Sequence, residues 1–300
     1  MTFDFDVWCS QKLACVETAL DGFIDASSPA DMGVVMRYGV LGGGKRLRAL
    51  LVLAASEAMS GNPEAALRAA CAVEMIHAYS LIHDDMPCMD NDVLRRGKPT
   101  VHVAFGEAQA LLAGDALQAL AFEVLTPDAE AIPSHVQAKL CRLLARASGL
   151  DGMAGGQAID LASVGQSLTE AQLRRMHELK TGALLKASVE MGAACQASFN
   201  EALDVLKLGG LAQYGSAVGL AFQVVDDILD VTADAATLGK TAGKDAAQNK
   251  PTYVALMGLD EAGKYAHQLL DKALAALDQC DLTQDTALRE LAIRLVKRQS

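Results

Sequence analysis

Residues 64–83 read EAALRAACAVEMIHAYSLIH, a stretch made mostly of helix-forming residues. Its apolar positions, such as Leu67, Val73 and Ile76, cover most of the circumference of a helix. A helix that is apolar nearly all round is buried in the protein interior. Residues 204–230 have the same character, with Gly and Ala among Leu and Val. Two buried helices of this kind predict an all-α fold.

The rest of the chain agrees with this fold class. Aromatic residues make up only 4% of the sequence, and alternating β-branched runs are scarce. The breaks between apolar segments, such as Gly61-Asn62-Pro63, are short and punctuate helices, and none resembles an interdomain linker. Although 300 residues exceed the usual prior of about 100–200 residues per domain, we predict a single domain over residues 1–300.

Charge and composition limit the partners and the compartment. The 26 basic and 37 acidic residues give a net charge of -11, which argues against binding to nucleic acid or an anionic membrane. The first ten residues, MTFDFDVWCS, carry acids where a signal peptide carries lysines, and no apolar run approaches the roughly 18 residues that span a bilayer. The seven cysteines form no C-x-x-C pair, which favours reduced thiols. We therefore expect a cytoplasmic protein.

The first buried helix runs into a cluster of aspartates, in SLIHDDMPCMDNDVLRRG (80–97). Asp84 and Asp90 are six residues apart, so they would diverge by about 120° on a straight helix. Pro87 lies between them and disturbs the helix, so that the chain can return Asp90 to the side of Asp84. Arg95 and Arg96 follow at once. In an acidic protein, this pattern suggests an anion held between a metal and arginine.

A second cluster ends the other buried helix, in FQVVDDILD (222–230). Asp226 and Asp230 are four residues apart and share one helix face, where their like charges destabilise the helix unless a cation bridges them. Carboxylates without Cys or His at zinc spacing favour Mg²⁺. The simpler alternative for each cluster is a solvated helix end. Acids at a C-terminal end oppose the helix dipole, however, and both helices are too apolar to be peripheral.

Two further segments carry clustered cations. In LGGGKRLR (41–48), glycines precede Lys45 and Arg48, which we place three residues apart on one face of the following helix as a phosphate cradle. A glycine turn with surface cations would explain the same residues. The longest polar interruption, residues 232–252, is rich in lysine and glycine and suggests a flap that closes over a ligand.

These motifs together resemble the all-trans (E)-isoprenyl diphosphate synthases, and most closely the bacterial farnesyl diphosphate synthases. The matching stretches also include GMAGGQAIDL (152–161), HELKTGALL (177–185) and LGKTAGKD (238–245). The resemblance implies mostly antiparallel helices around a deep cavity, a homodimer, and two aspartate-rich motifs that face each other across the cavity mouth.

The resemblance also implies roles for individual residues. Metal ligands for three Mg²⁺ ions would come from Asp84, Asp90, Asp226 and Asp230, with Asp85 and Asp227 in supporting roles. The allylic diphosphate would be held by Arg95, Lys180 and Lys240, with Thr181 and Gln223 near its reacting carbon. The isopentenyl diphosphate would be held by Gly44, Lys45, Arg48, His77 and Arg96. Among these, Lys180, Thr181, Gln223, Asp84 and Asp85 are the expected catalytic residues.

The implied reaction joins isopentenyl diphosphate to dimethylallyl or geranyl diphosphate through an allylic cation and releases diphosphate. Tyr79 and Ser80 precede Asp84 by five and four residues, about 6–8 Å deeper along the helix. In the family an aromatic residue at this depth forms a floor that limits product length, so we expect a C15 product. His83 receives no role from the resemblance.

Alternatives remain within and outside this enzyme class. A geranylgeranyl or geranyl diphosphate synthase would share every motif and differ in product length. A terpene cyclase would not need Lys45, Arg48 and Arg96 for a second diphosphate. A non-catalytic subunit of a heteromeric synthase should have eroded aspartate motifs, whereas both are intact here.

Overall fold

The computed structural model describes residues 3–41, 43–128, 131–166, 168–196, 201–232, 252–282 and 284–297. Its elements are almost all helices, which confirms the predicted all-α class. In chain order the α-helices are α1 (Phe5–Phe23), α2 (Met32–Val40), α3 (Leu47–Ala58), α4 (Pro63–Asp84), α5 (Val101–Phe105), α6 (Glu107–Leu125), α7 (Ser134–Ser148), α8 (Met153–Ala162), α9 (Glu170–His177), α10 (Ala183–Ala194), α11 (Glu201–Thr232), α12 (Tyr253–Met257), α13 (Leu259–Asp278) and α14 (Thr286–Lys297).

Three short elements complete the described fold. A 3₁₀ turn, Pro29–Asp31, precedes α2, and a π-helical turn, Glu178–Gly182, joins α9 to α10. The two-residue strands β1 (Leu94–Arg95) and β2 (Lys98–Pro99) pair antiparallel, with Arg95 opposite Lys98. This hairpin was not predicted. It follows the first aspartate cluster and fixes where Arg95 and Arg96 lie.

The helix α4 is a central element, as its sequence predicted. Asn62 caps its N-terminus by accepting hydrogen bonds from the backbone N–H groups of Glu64 and Ala65, and Pro63 occupies the first turn. Along the helix the residues from Ala69 to Ile76 are all buried, and the apolar ones among them pack in one core cluster with α6 and α10. A second core cluster joins α3, α10, α11, α13 and α14.

Among the residues that the structure describes, two helices have the length and composition of a membrane span, contrary to the expectation that no apolar run would reach that length. They are α4, whose most apolar window is 67% buried, and α6, whose window is 39% buried. The helix α4 is this apolar because it is a core helix, most of which is buried in the protein. The helix α6 instead leaves Leu111 and Leu112 exposed on one face.

Candidate active site

The first aspartate cluster folds into a compact turn at the C-terminal end of α4. Asp84 is the last residue of the helix, and the backbone N–H of Asp90 donates to the Asp84 carbonyl over 2.8 Å. The chain therefore returns on itself across Pro87 and brings Asp90 back to Asp84. Burial raises the pKa of Asp84 to about 6, and although Lys180 opposes this rise, Asp90 adds to it. A cation at this position would relieve that cost.

Asp85 and Arg95 form a bidentate ion pair within this turn. The Arg95 Nη2 donates to Asp85 Oδ1 over 2.6 Å, and its Nε donates to Oδ2 over 2.8 Å. Asp85 is buried, and burial raises its pKa although the Arg95 guanidinium acts in the opposite direction. The arrangement makes Asp85 the group that holds Arg95 in place beside Asp84.

A second group of cations surrounds Gly44. The Arg96 guanidinium donates to the Gly43 carbonyl, and a Cβ at residue 44 would lie only 3.0 Å from the Arg96 Cζ. Gly44 also has a φ of 113°, which residues with a side chain rarely adopt. Arg48 is buried, and its Nε has no hydrogen-bond partner among the described residues. Burial and the charges of Arg48 and Arg96 hold the pKa of His77 well below its usual value. These groups concentrate positive charge around Gly44, which suits the binding of an anion.

The structure corrects the predicted placement of Lys45. The helix α3 begins at Leu47, so Lys45 lies in the preceding loop and does not share a helix face with Arg48. The reason is Arg46, which adopts a left-handed conformation with a φ of 46°. Its buried guanidinium donates to Glu17 over 2.7 Å, to Glu74 over 3.2 Å and to the Val40 carbonyl over 2.6 Å. Sequence reasoning missed this residue, which orients the whole loop.

Lys180 lies in the π-helical turn Glu178–Gly182 and forms an ion pair with Asp160 of α8. Single π turns occur frequently at functional sites. The helix α8 approaches this turn closely at Gly156, where a Cβ would lie 2.5 Å from the Lys180 Cα. The stretch GMAGGQAIDL thus places Asp160 against Lys180, a positioning role that sequence reasoning did not assign.

A chain of hydrogen bonds continues from the π turn into the second aspartate cluster. Thr181 Oγ1 donates to Gln223 Oε1 over 3.2 Å, and Gln223 Nε2 donates to Asp227 Oδ1 over 2.7 Å. The second oxygen of Asp227 accepts the backbone N–H of Tyr253 over 2.8 Å. Asp227 is 2% exposed and therefore serves as an internal anchor between α11 and α12.

The remaining aspartates of the second cluster differ in their surroundings. Asp226 is half-buried, and Asp230 is buried with its Oδ1 lacking any hydrogen-bond partner in the described part of the chain. Across residues 3–41, 43–128, 131–166, 168–196, 201–232, 252–282 and 284–297, no three or more His, Cys, Asp or Glu side chains form a ready metal cluster. Pairs of carboxylates suit Mg²⁺, which commonly completes its coordination with waters and substrate phosphates.

The proposed product-length residues lie on α4 below Asp84. Tyr79 is half-buried against the core cluster of α4 and α6, and burial, followed by the charge of Asp84, raises its pKa. The Ser80 hydroxyl donates to the His77 carbonyl over 2.8 Å and is therefore occupied within the helix. Lys240 lies outside the described residues, as do residues 233–251 of the predicted flap.

Comparison with known proteins shows which family the chain resembles. The sequence model of the family described as "Polyprenyl synthetase" matches residues 31–291. The chain is 47% identical to the farnesyl diphosphate synthase of Escherichia coli, over 96% of this chain and 98% of that protein. It is 44% identical to a chloroplastic geranylgeranyl pyrophosphate synthase of Capsicum annuum, over 97% of this chain and 78% of that protein.

A solved structure gives the same result for the fold. The crystal structure of a Helicobacter pylori geranyltransferase, complexed with magnesium and isoprenyl diphosphate, is 34% identical with a TM-score of 0.84. The match covers 99% of this chain and 98% of that one. The fold is therefore shared along almost the entire chain.

Proposed function

The chain belongs to the polyprenyl synthetase family, and from this premise we propose that it is a (2E,6E)-farnesyl diphosphate synthase. It is a prenyltransferase with the all-α fold of the isoprenyl diphosphate synthases. Its proposed substrates are isopentenyl diphosphate and the allylic dimethylallyl and geranyl diphosphates. We further propose that residues 1–300 form a single domain.

One observation carries the proposal: residues of the π turn lie near both aspartate-rich helices, α4 and α11. Lys180 lies close enough to Asp84 to oppose the rise in its pKa, and Thr181 in the next position donates to Gln223 on α11. The turn therefore places a cation and a hydroxyl between the two carboxylate clusters. A separate group of cations at Arg48 and Arg96 offers a second anion site. Two anion sites suit two diphosphate substrates.

The reaction breaks the allylic C–O bond, whose electron pair leaves with the diphosphate. Arg95 and Lys180 would stabilise the negative charge that develops on this leaving group. The dipoles of Thr181 and Gln223 would face the allylic cation. The double bond of isopentenyl diphosphate then forms the new C–C bond, and a proton leaves C2 to the departing diphosphate. No protein base is needed.

The residues fit a bound Mg²⁺. Asp84 has a pKa raised by burial, and Asp230 Oδ1 is buried without a partner among the residues described. The family and a magnesium-bound relative support Mg²⁺ dependence. We propose that Asp84, Asp90, Asp226 and Asp230 would hold three ions. Bound Mg²⁺ would supply charge neutralisation of the leaving diphosphate.

The binding assignments follow the two cation groups. For isopentenyl diphosphate we propose Gly44, Lys45, Arg48, His77 and Arg96. For the allylic diphosphate we propose Arg95, Lys180 and Lys240. The flap of residues 232–252 would exclude water from the cation. Tyr79 and Ser80 would set the product at C15.

We also propose a homodimer that is soluble in the cytoplasm and has neither a membrane nor a nucleic-acid partner. Leu111 and Leu112 of α6 are 47% and 52% exposed, and two such faces would bury each other in a dimer. Light scattering coupled to size-exclusion chromatography tests this. A mass of twice 31.5 kDa is expected, and a monomer at micromolar concentration would contradict it.

The main competing function is that of a geranylgeranyl diphosphate synthase, which the similarity to the Capsicum annuum protein supports. Incubation of the purified protein with Mg²⁺, isopentenyl diphosphate and dimethylallyl diphosphate decides between the two. After dephosphorylation, farnesol is expected as the main alcohol. Geranylgeraniol as the main alcohol would replace the C15 assignment.

A further inference from the structure

The rings of Tyr79 and His83 contact each other edge to face on α4. Their centroids are 5.6 Å apart and their planes meet at 76°. The two residues are one helical turn apart, so the contact lies along a single face of the helix. Edge-to-face pairs are favourable beyond the burial of apolar area. His83 therefore restricts the position of the Tyr79 ring.

The position of His83 is in turn fixed by α6. Its Nε2 lies 3.1 Å from the Leu111 carbonyl oxygen. A carbonyl only accepts hydrogen bonds, so the proton must be on Nε2 for this bond to form. The ring thus spans from α4 to α6, with Tyr79 at its edge and the backbone of Leu111 at its tip.

Gly114 provides the space for this ring. A Cβ at residue 114 would lie 2.8 Å from the His83 Cε1 and closer still to two other ring atoms. Gly114 is inside α6, where a glycine is less favourable for the helix than alanine. Its absence of a side chain is needed for the close approach of the imidazole.

We propose that His83 and Gly114 are positioning residues for product length in this synthase. Gly114 admits the His83 ring between α4 and α6, and His83 holds the Tyr79 ring across the path of the growing chain. The inference rests on the proposed function and on the role of Tyr79 as the floor. Without the support of His83, the Tyr79 side chain can turn aside, and a C15 product can accept a further isoprene unit.

The test measures the ratio of C20 to C15 products from isopentenyl and geranyl diphosphates at matched conversion. In His83→Ala we expect this ratio to rise about tenfold, which corresponds to about 1.4 kcal/mol between the two competing barriers. In Gly114→Ala the new methyl group displaces the imidazole, so the ratio should rise similarly. In the double variant the methyl group meets no ring, and the ratio should equal that of His83→Ala alone.

The His83→Gln variant distinguishes the loss of the ring contact with Tyr79 from a general loss of packing between α4 and α6. The amide can still donate to the Leu111 carbonyl but presents no ring to Tyr79, so the C20 to C15 ratio should rise while the melting temperature stays near that of the parent protein. This variant also keeps the test open if Gly114→Ala fails to fold. The matched controls are Gly209→Ala and His135→Ala. Gly209 is a helical glycine at which an added Cβ would meet open space, and His135 is an exposed histidine.

The outcomes are distinguishable. If the parent protein forms no prenyl diphosphate, the proposed function fails. If it makes C15 and Tyr79→Ala does not lengthen the product, the floor assignment fails and the inference with it. If Tyr79→Ala lengthens the product while His83→Ala and His83→Gln keep the parent ratio, the inference alone is overturned. Additive effects of His83→Ala and Gly114→Ala would show that Gly114 does not act through His83.

Discussion

Gln223 donates through Nε2 to Oδ1 of Asp227 over 2.7 Å, and the same carboxylate accepts the backbone N–H of Tyr253 through Oδ2. Asp227 of the second aspartate cluster therefore faces inward, where it orients the Gln223 amide and the start of α12. Asp226 beside it is half-buried and remains one of the proposed metal ligands.

The first prediction separates these two neighbours. In Asp227→Asn one of the two buried donors loses its acceptor, which we expect to destabilise the fold by about 1–3 kcal/mol and to lower kcat. The Mg²⁺ concentration for half-maximal rate should stay unchanged. In Asp226→Asn that concentration should rise instead. Thermal unfolding and Mg²⁺ titrations of rate measure both, and a raised Mg²⁺ requirement in Asp227→Asn would contradict the anchor role.

The second prediction concerns Lys180. If its ammonium group stabilises the leaving diphosphate, Lys180→Met should reduce kcat by roughly 10²–10³, the range seen for the loss of one preorganised donor. Lys186→Met is the matched control, because Lys186 lies one helix further on and pairs only loosely with Glu190 over 3.7 Å. Steady-state rates of diphosphate release measure the effect. Equal losses in both variants would exclude the specific role.

A third prediction tests whether the two cation groups serve different substrates. Arg48→Met should raise the KM for isopentenyl diphosphate roughly tenfold or more, since a hydrogen bond to a charged group contributes about 1.5–3 kcal/mol. The KM for geranyl diphosphate should change little. Arg95→Met should show the reverse pattern.

The exposed Arg142 of α7 offers the control variant, Arg142→Met, for this comparison. Both KM values should stay at their parent levels in it. The assignment of the two sites would be wrong if Arg48→Met raised both KM values equally.

The fourth prediction is a pH dependence of stability caused by His177. This residue is buried and stacks on Tyr253 with ring centroids 5.5 Å apart, and neither ring nitrogen has a hydrogen-bond partner among the residues described. Burial lowers its pKa to about 4, with Asp160 and Lys180 acting in opposite directions. Between pH 6.5 and about 4 the unfolded chain therefore binds a proton that the folded protein does not, and stability falls as the pH falls.

His177→Phe keeps the stacked ring and removes this titration. Chemical unfolding at pH 7 and pH 5 should show the variant gaining stability relative to the parent protein by about 1.4 kcal/mol per pH unit below 6.5. Titration of other buried groups cancels in the difference. An unchanged difference between the two proteins at pH 7 and pH 5 would contradict the assignment.

The sequence predicted the all-α fold because α4 and α11 are apolar nearly all round, and the observed helices begin and end within three residues of the predicted stretches. It also indicated the return of Asp90 to Asp84, because Pro87 breaks the helix locally. These features depend on residues that are close along the chain. For the same reason the break at Gly61-Asn62-Pro63 indicated where α4 begins.

The parts that were missed or wrong depend on contacts between distant segments. Arg46 takes a left-handed conformation because of Glu17 and Glu74, which are 29 and 28 residues away, and this excludes Lys45 from α3. Asp160 pairs with Lys180 across 20 residues, through the close approach at Gly156. The π turn has no local sequence signature that distinguishes it from an α-helical turn.

The most direct test of the central claim is the product formed by the purified protein from isopentenyl diphosphate and geranyl diphosphate in the presence of Mg²⁺. After dephosphorylation and chromatography, we predict farnesol as the main alcohol, with no product once EDTA removes the metal. Formation of no C10 to C20 prenyl alcohol under these conditions would contradict the account.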